Sequence, residues 1–188
     1  MNTVDICLEI LKELEGALKQ SDPAQTEALV CGIIAANRVF VAGAGRSLLM
    51  IRSLAMRLMQ LGFKAFVVGE TVTPAIGPGD LLIIGSGSGE TGTLVTIASK
   101  AKHMGAKLAL ITIYPDSPIG RLADITVQIK ASTSKSDKDS GAKSIQPGAN
   151  MFEQSLLLLC DAVAMRIIEV NQIADSNAKL MKVHANLE

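Results

Sequence analysis

Two short segments carry glycine and hydroxyl residues at a spacing suited to holding an anion. Gly43-Ala44-Gly45-Arg46-Ser47 follows the apolar run Val39-Phe40-Val41-Ala42. Gly85-Ser86-Gly87-Ser88-Gly89-Glu90-Thr91 follows Leu81-Leu82-Ile83-Ile84. Each reads as a buried strand, a Gly-rich turn and then a helix, which aims backbone N–H groups and hydroxyls at a bound anion. In the first turn the ligand-facing candidates are Gly45, Arg46 and Ser47. Leu48 stands where a dinucleotide fingerprint has its third glycine, and the Gly-Lys-Ser/Thr ending of a P-loop is missing. In the second turn Ser86, Ser88 and Thr91 alternate with Gly85, Gly87 and Gly89. Hydroxyls donate to phosphate oxygens there while the glycines let the backbone come close. Glu90 repels a phosphate and is expected to turn toward solvent or a sugar hydroxyl. The pair of turns points to a small phosphorylated molecule, a sugar phosphate before a nucleotide.

Proton-transfer candidates lie further along. Glu153 opens a long helical pattern just after Pro147-Gly148. A partly desolvated carboxylate there suits proton shuttling; the competing reading is a first-turn glutamate that complements the helix dipole. His184 sits in a short polar tail, where it is either a proton carrier or a plain surface residue. Arg46 has three possible partners: a phosphate, Glu153, or a residue across a subunit boundary. The polar stretch within 131–148, with Lys135, Lys138 and Lys143, is either a surface loop or a segment that closes over the ligand.

The elements that must position these residues follow from periodicity. Helical spacing covers 4–19, with Val4, Cys7, Leu8, Leu11, Leu14 and Leu18 as the apolar side, and a second helix runs from Pro23 to about Ala36. Strands are expected over 38–42, 63–68, 81–85, 107–113 and 125–129, and helices over 47–61, 91–104 and 150–173, with Gly62 and Gly105 as stops. Strand and helix alternate, and the strands are almost continuously apolar. That pattern implies a three-layer αβα sandwich around a mainly parallel sheet of about five strands. The whole chain, 1–188, reads as one domain, with helices over 1–36 before the sheet and a helix plus tail over 150–188 after it. Both Gly-rich turns then fall at carboxyl ends of strands, where such sheets bind ligands.

The bulk numbers exclude several classes. Hydrophobic residues make up 48% and charged ones 19%, which argues against disorder. The 18 basic and 18 acidic residues cancel, and the chain has no Trp and one Tyr, so neither a phosphate-seeking surface nor a base-stacking platform for nucleic acid is expected. No apolar run approaches the roughly 18 residues of a membrane span. The start, Met1-Asn2-Thr3-Val4-Asp5, lacks the basic-then-apolar pattern of a signal peptide. Cys7, Cys31 and Cys160 each lie among apolar neighbours and read as buried thiols of a reducing compartment. With His103 and His184 far apart, no metal cluster is expected. A cytoplasmic protein is the resulting expectation.

The two turns, with a helical lead-in before the first, resemble the SIS (sugar isomerase) domain family over nearly the whole chain. Within it the sequence looks most like the 6-phospho-3-hexuloisomerases, through Ala55-Met56-Arg57-Leu58-Met59, Gly69-Glu70-Thr71-Val72-Thr73-Pro74, Ile145-Gln146-Pro147-Gly148, Phe152-Glu153-Gln154 and the tail His184-Ala185-Asn186-Leu187-Glu188. The resemblance implies conversion of D-arabino-3-hexulose 6-phosphate to fructose 6-phosphate through a cis-enediol, after formaldehyde has been condensed with ribulose 5-phosphate by a hexulose-phosphate synthase. It implies no metal or redox cofactor, Glu153 as the base, and a tetramer built as a dimer of dimers with sites near subunit boundaries. Gln60 stands where members of the family usually carry histidine. A glutamine cannot exchange protons but can donate a hydrogen bond to a carbonyl or enediolate oxygen. Another SIS isomerase, for instance of a pentose 5-phosphate, and a non-catalytic phosphosugar sensor share the same turns. Gln60 favours those readings; Glu153 and the His184 tail favour catalysis. The sequence shows no DNA-binding segment of the kind a stand-alone transcription regulator carries.

Overall fold

Apolar runs buried on both faces build the centre of the sheet. The strands are Val39–Gly43 (β1), Ala65–Val67 (β2), Leu81–Gly85 (β3), Lys107–Thr112 (β4) and Ile125–Gln128 (β5). They pair in the order β2-β1-β3-β4-β5, all parallel. The helices are Thr3–Leu18 (α1), Pro23–Ala35 (α2), Gly45–Gln60 (α3), Gly92–His103 (α4), Asn150–Val170 (α5) and Ser176–Lys182 (α6). The computed structural model describes residues 1–131, 144–184 and 186; Lys135, Lys138 and Lys143 lie outside the described residues.

Alternate strand residues serve opposite layers. Val39, Val41, Leu81, Ile83, Ala109 and Ile111 pack with Ile51, Leu54 and Leu58 of α3, Leu29 and Ile33 of α2, and Phe152, Leu156 and Val163 of α5. Phe40, Ala42, Leu82, Ile84, Leu108 and Leu110 face Leu94, Ala98 and Ala101 of α4. These are the three layers that the αβα expectation requires. The chain leaves β1 toward β2 on one side and returns to β3 on the other, so strand order reverses between β1 and β3. A crevice opens at the carboxyl ends of the strands at such a point.

The structure redraws three sequence expectations. The edge strand β2 is shorter than 63–68 because Phe63 N–H donates to Leu58 O at 2.9 Å and so belongs to the end of α3. On α1 the expected apolar side faces mostly outward. Leu14 and Ala17 are buried and Ile10 packs on the core, while Val4, Leu8 and Leu11 are exposed. The helix carries Ile6 and Ile10 as well, so it is apolar on more than one side, and periodicity does not say which side meets the core. Cysteine burial is corrected as well. Cys160 is buried, and desolvation with help from Asp161 pushes its thiol far up, but Cys7 and Cys31 are exposed on the outer sides of α1 and α2.

Candidate active site

Gly43 ends β1 where α3 must begin against the strand. A Cβ on Gly43 would stand 2.9 Å from the backbone of Leu48, so any other residue pushes the helix away. Leu48 itself packs on the core, so it supports the helix and does not line the crevice. Ala44 is the N-cap of α3 and offers no side-chain cap; Thr91 at α4 and Ala149 at α5 likewise make no capping hydrogen bond. The other helices are capped: α1 by an Asn2–Asp5 capping box, α2 by Asp22 and α6 by Asp175. The helix starts left open, those of α3, α4 and α5, are the ones around a single cleft of about 280 Å³. Unpaired N–H groups at converging helix starts favour an anion.

The turn after β3 is held by the loop after β4. Ser86 N–H donates to Ile111 O, Ile113 N–H to Gly87 O and Ile119 N–H to Gly89 O, at 3.0–3.1 Å. Thr112 Oγ1 donates to Gly87 O at 3.1 Å and accepts from Tyr114 N–H at 3.2 Å. Gly89 has φ 63°, and a Cβ there would lie 2.0 Å from Ser117 Oγ, so this position needs glycine twice over. Ser86 Oγ accepts from Gly89 N–H and Ser88 Oγ accepts from Glu90 N–H, at 3.2 and 3.3 Å. With an acceptor site of each hydroxyl occupied by backbone, the O–H hydrogens are left to donate to a ligand.

Across the cleft Arg46 Nε donates to Glu153 Oε2 at 2.5 Å. Of the three partners open to Arg46, the structure shows Glu153. The carboxylate is almost buried, with its side chain 8% exposed, while the arginine is 56% exposed. Glu153 stands in the first turn of α5, whose N-terminal dipole favours its charge. Gly45, Arg46, Ser47, Ser86, Gly87, Ser88, Thr91 and Glu153 all line this one cleft, so the cradle residues and the base expected from sequence come together. Glu90 lines it too, exposed to solvent. Sequence reasoning missed Ile113, Tyr114, Ala149 and Phe152 as lining residues. For Tyr114 the available signal was its place just past the carboxyl end of β4.

Two expected residues lie elsewhere. Gln60 is the last residue of α3, about 20 Å along the helix axis from Arg46. It is buried, and its Oε1 accepts from Arg57 Nη1 at 3.0 Å. Within one chain it therefore does not join the reacting groups: the helix that presents Arg46 at its start carries Gln60 to the opposite end of the sheet. His184 is exposed beyond α6 and is not among the lining residues. Among the described residues no helix is long and apolar enough to cross a membrane, and no group of three His, Cys, Asp or Glu residues could hold a metal ion.

Comparison with known proteins agrees with this geometry. The family model of the SIS domain matches residues 32–158, which hold the sheet, both Gly-rich turns and Glu153. The 3-hexulose-6-phosphate isomerase of Bacillus subtilis is 43% identical over 188 residues, all of both chains. That of Mycobacterium gastri is 43% identical over 94% of this chain and 86% of its own. A Methanococcus jannaschii protein, whose crystal structure was taken to imply 3-hexulose-6-phosphate isomerase function, superposes with a TM-score of 0.83 at 30% identity, over 98% of this chain and 99% of that one. With its cradles, its Arg46–Glu153 pair and full-length relatives of that kind, the chain belongs to the SIS domain family, among its 3-hexulose-6-phosphate isomerases.

Proposed function

We propose that this isomerase interconverts D-arabino-3-hexulose 6-phosphate and fructose 6-phosphate with Glu153 as its base. The observation that carries the assignment of roles is the buried Glu153 carboxylate facing open helix starts and Ser/Thr hydroxyls across one small cleft. The phosphate sits in the turn Ser86–Thr91 at the start of α4, held by hydroxyls and backbone N–H groups. The carbon chain then reaches toward Gly45, Arg46 and Ser47. Glu153 takes the proton from C2 while the C3 carbonyl oxygen gains charge, giving a cis-enediolate. The N–H groups at the start of α3 and the Arg46 guanidinium stabilise that charge. Glu153 returns the proton at C3, the hydroxyl proton passes from O2 to O3, and the carbonyl is left at C2. No atom is gained or lost.

The same reading extends to the assembly. Val4, Leu8 and Leu11 on α1, and Leu49, Met56 and Met59 on α3, are exposed apolar residues that suit subunit contacts. We assign them to a tetramer that works in the cytoplasm beside a hexulose-phosphate synthase. His184, in the tail, belongs to this reading only if a neighbouring subunit brings it to the cleft.

The test is a coupled assay. Purified protein is mixed with a hexulose-phosphate synthase, formaldehyde and ribulose 5-phosphate, and fructose 6-phosphate is followed as NADPH. Turnover that requires this protein and is lost in Glu153→Gln, with phosphosugar binding kept, is the expected result. Near-normal turnover of that variant removes Glu153 from the mechanism.

A further inference from the structure

Glu13 looks like a surface residue of an amphipathic helix, yet it is the most heavily engaged carboxylate on α1. Its Oε1 accepts from Ile145 N–H at 2.8 Å, and its Oε2 accepts from Ser144 Oγ at 2.7 Å and from Gln146 Nε2 at 2.9 Å. Ser144 Oγ in turn accepts from Gln146 N–H at 3.0 Å, which ties the short segment to itself as well as to the helix. Burial pushes the Glu13 carboxyl up, but the bonds from Gln146, Ile145 and Ser144 together outweigh it and hold the group below the ordinary carboxylate range.

The clasped segment runs straight into the catalytic helix. Pro147 O accepts from Asn150 N–H at 3.3 Å and Ala149 O accepts from Glu153 N–H at 3.0 Å. Gly148, at φ 66°, makes the turn between them. Ala149, the N-cap of α5, makes no side-chain capping bond. The clasped residues 144–146 thus stand just before α5, whose first turn carries Glu153 and its bond to Arg46.

We infer that Glu13 is a positioning residue for the isomerase reaction: by clasping Ser144, Ile145 and Gln146 it sets the first turn of α5 and so the place of Glu153. This rests on Glu153 being the base, so its test has an arm that does not depend on activity. In full-length Glu13→Ala, amide hydrogen exchange over 150–153 is expected to quicken at least about fivefold while the amides of β1 and β3 keep their protection. In the coupled assay kcat is expected to fall about tenfold or more with KM for the phosphosugar held within about twofold, because the base is displaced and the phosphate cradle is not. Adding Ser144→Ala to Glu13→Ala should cost little more, since both remove the same clasp. Unchanged exchange over 150–153 overturns the inference whatever the activity. So does wild-type kcat in the variant, or an equal loss of protection throughout the sheet. Wild-type protein without turnover, but with the exchange change in the variant, overturns the proposed reaction and leaves the clasp standing. Should Glu13→Ala not fold, Ser144→Ala carries the same arms with smaller changes.

Discussion

The two ends of the central strands each carry an arginine–carboxylate pair, and the two are built differently. At the amino end Arg38 grips Asp80 through Nε and Nη2, at 3.0 and 2.6 Å, and Gly77 N–H adds a third bond at 2.8 Å. Asp80 is 1% exposed and both its oxygens are used. At the carboxyl end Arg46 reaches one oxygen of Glu153, and among the described residues no other hydrogen bond serves that carboxylate. A carboxylate saturated by donors is a fixed anchor. One left half-bonded at the wall of a cleft keeps a lone pair for a proton. An arginine and a carboxylate thus make a joint at one end of β1 and β3 and, in the proposed reaction, a base at the other.

Removing the carboxylate charge at each end should separate the two roles. Glu153→Gln is expected to have the largest effect, a loss of about 10³-fold or more in kcat with little change in the urea midpoint; a variant that keeps its turnover breaks the comparison at the cleft. Asp80→Ala should do the reverse. It removes several charge-assisted bonds and should cost about 2–3 kcal/mol in urea unfolding, while the folded fraction retains turnover. Ser88→Ala should weaken phosphosugar binding by about 1–3 kcal/mol in calorimetry if its hydroxyl meets the phosphate, and leave stability alone. Unchanged binding would remove Ser88 from the cradle.

The smallest effect expected is a pH dependence of stability. The Arg38 hydrogen bonds, followed by that of Gly77, overcome burial and hold the Asp80 carboxyl below its ordinary value. A carboxylate whose folded value is depressed contributes its full stabilisation above the unfolded value, about 3.9, and loses it as pH falls through the lower folded value. Urea midpoints of the wild type should therefore fall below about pH 4 more steeply than those of Asp80→Ala; parallel curves would show that the anchor is not ionic.

Much of this was legible in the residues, because the informative patterns are local. Val39–Gly43 and Leu81–Gly85 read as buried strands from their apolar runs, and the glycine and hydroxyl spacing after each pointed to the turns that line the cleft. Glu153 was legible from its place at a helix start after Pro147-Gly148. What the sequence did not reveal depends on distance in space. The 42 positions between Arg38 and Asp80 and the 131 between Glu13 and Ser144 hide both contacts from any local rule. The removal of Gln60 from the cleft follows from the direction and length of α3, which periodicity gives, combined with the fact that its start and not its end borders the cleft. The outward face of α1, and with it Cys7, was ambiguous because that helix is apolar on more than one side.

Glu153, the proposed base, stands 107 positions after the arginine that holds it. A chain emerging from the ribosome therefore has β1, β3 and both Gly-rich turns before Asn150–Val170 has been made. Contacts that span so much chain are closed late, because the loop between them must first be brought together by pairings already in place. Any interruption of synthesis before Asn150 leaves a chain with the residues of both Gly-rich turns and without Glu153. On the proposed mechanism turnover thus reports that translation has run past α5 and that this helix has docked.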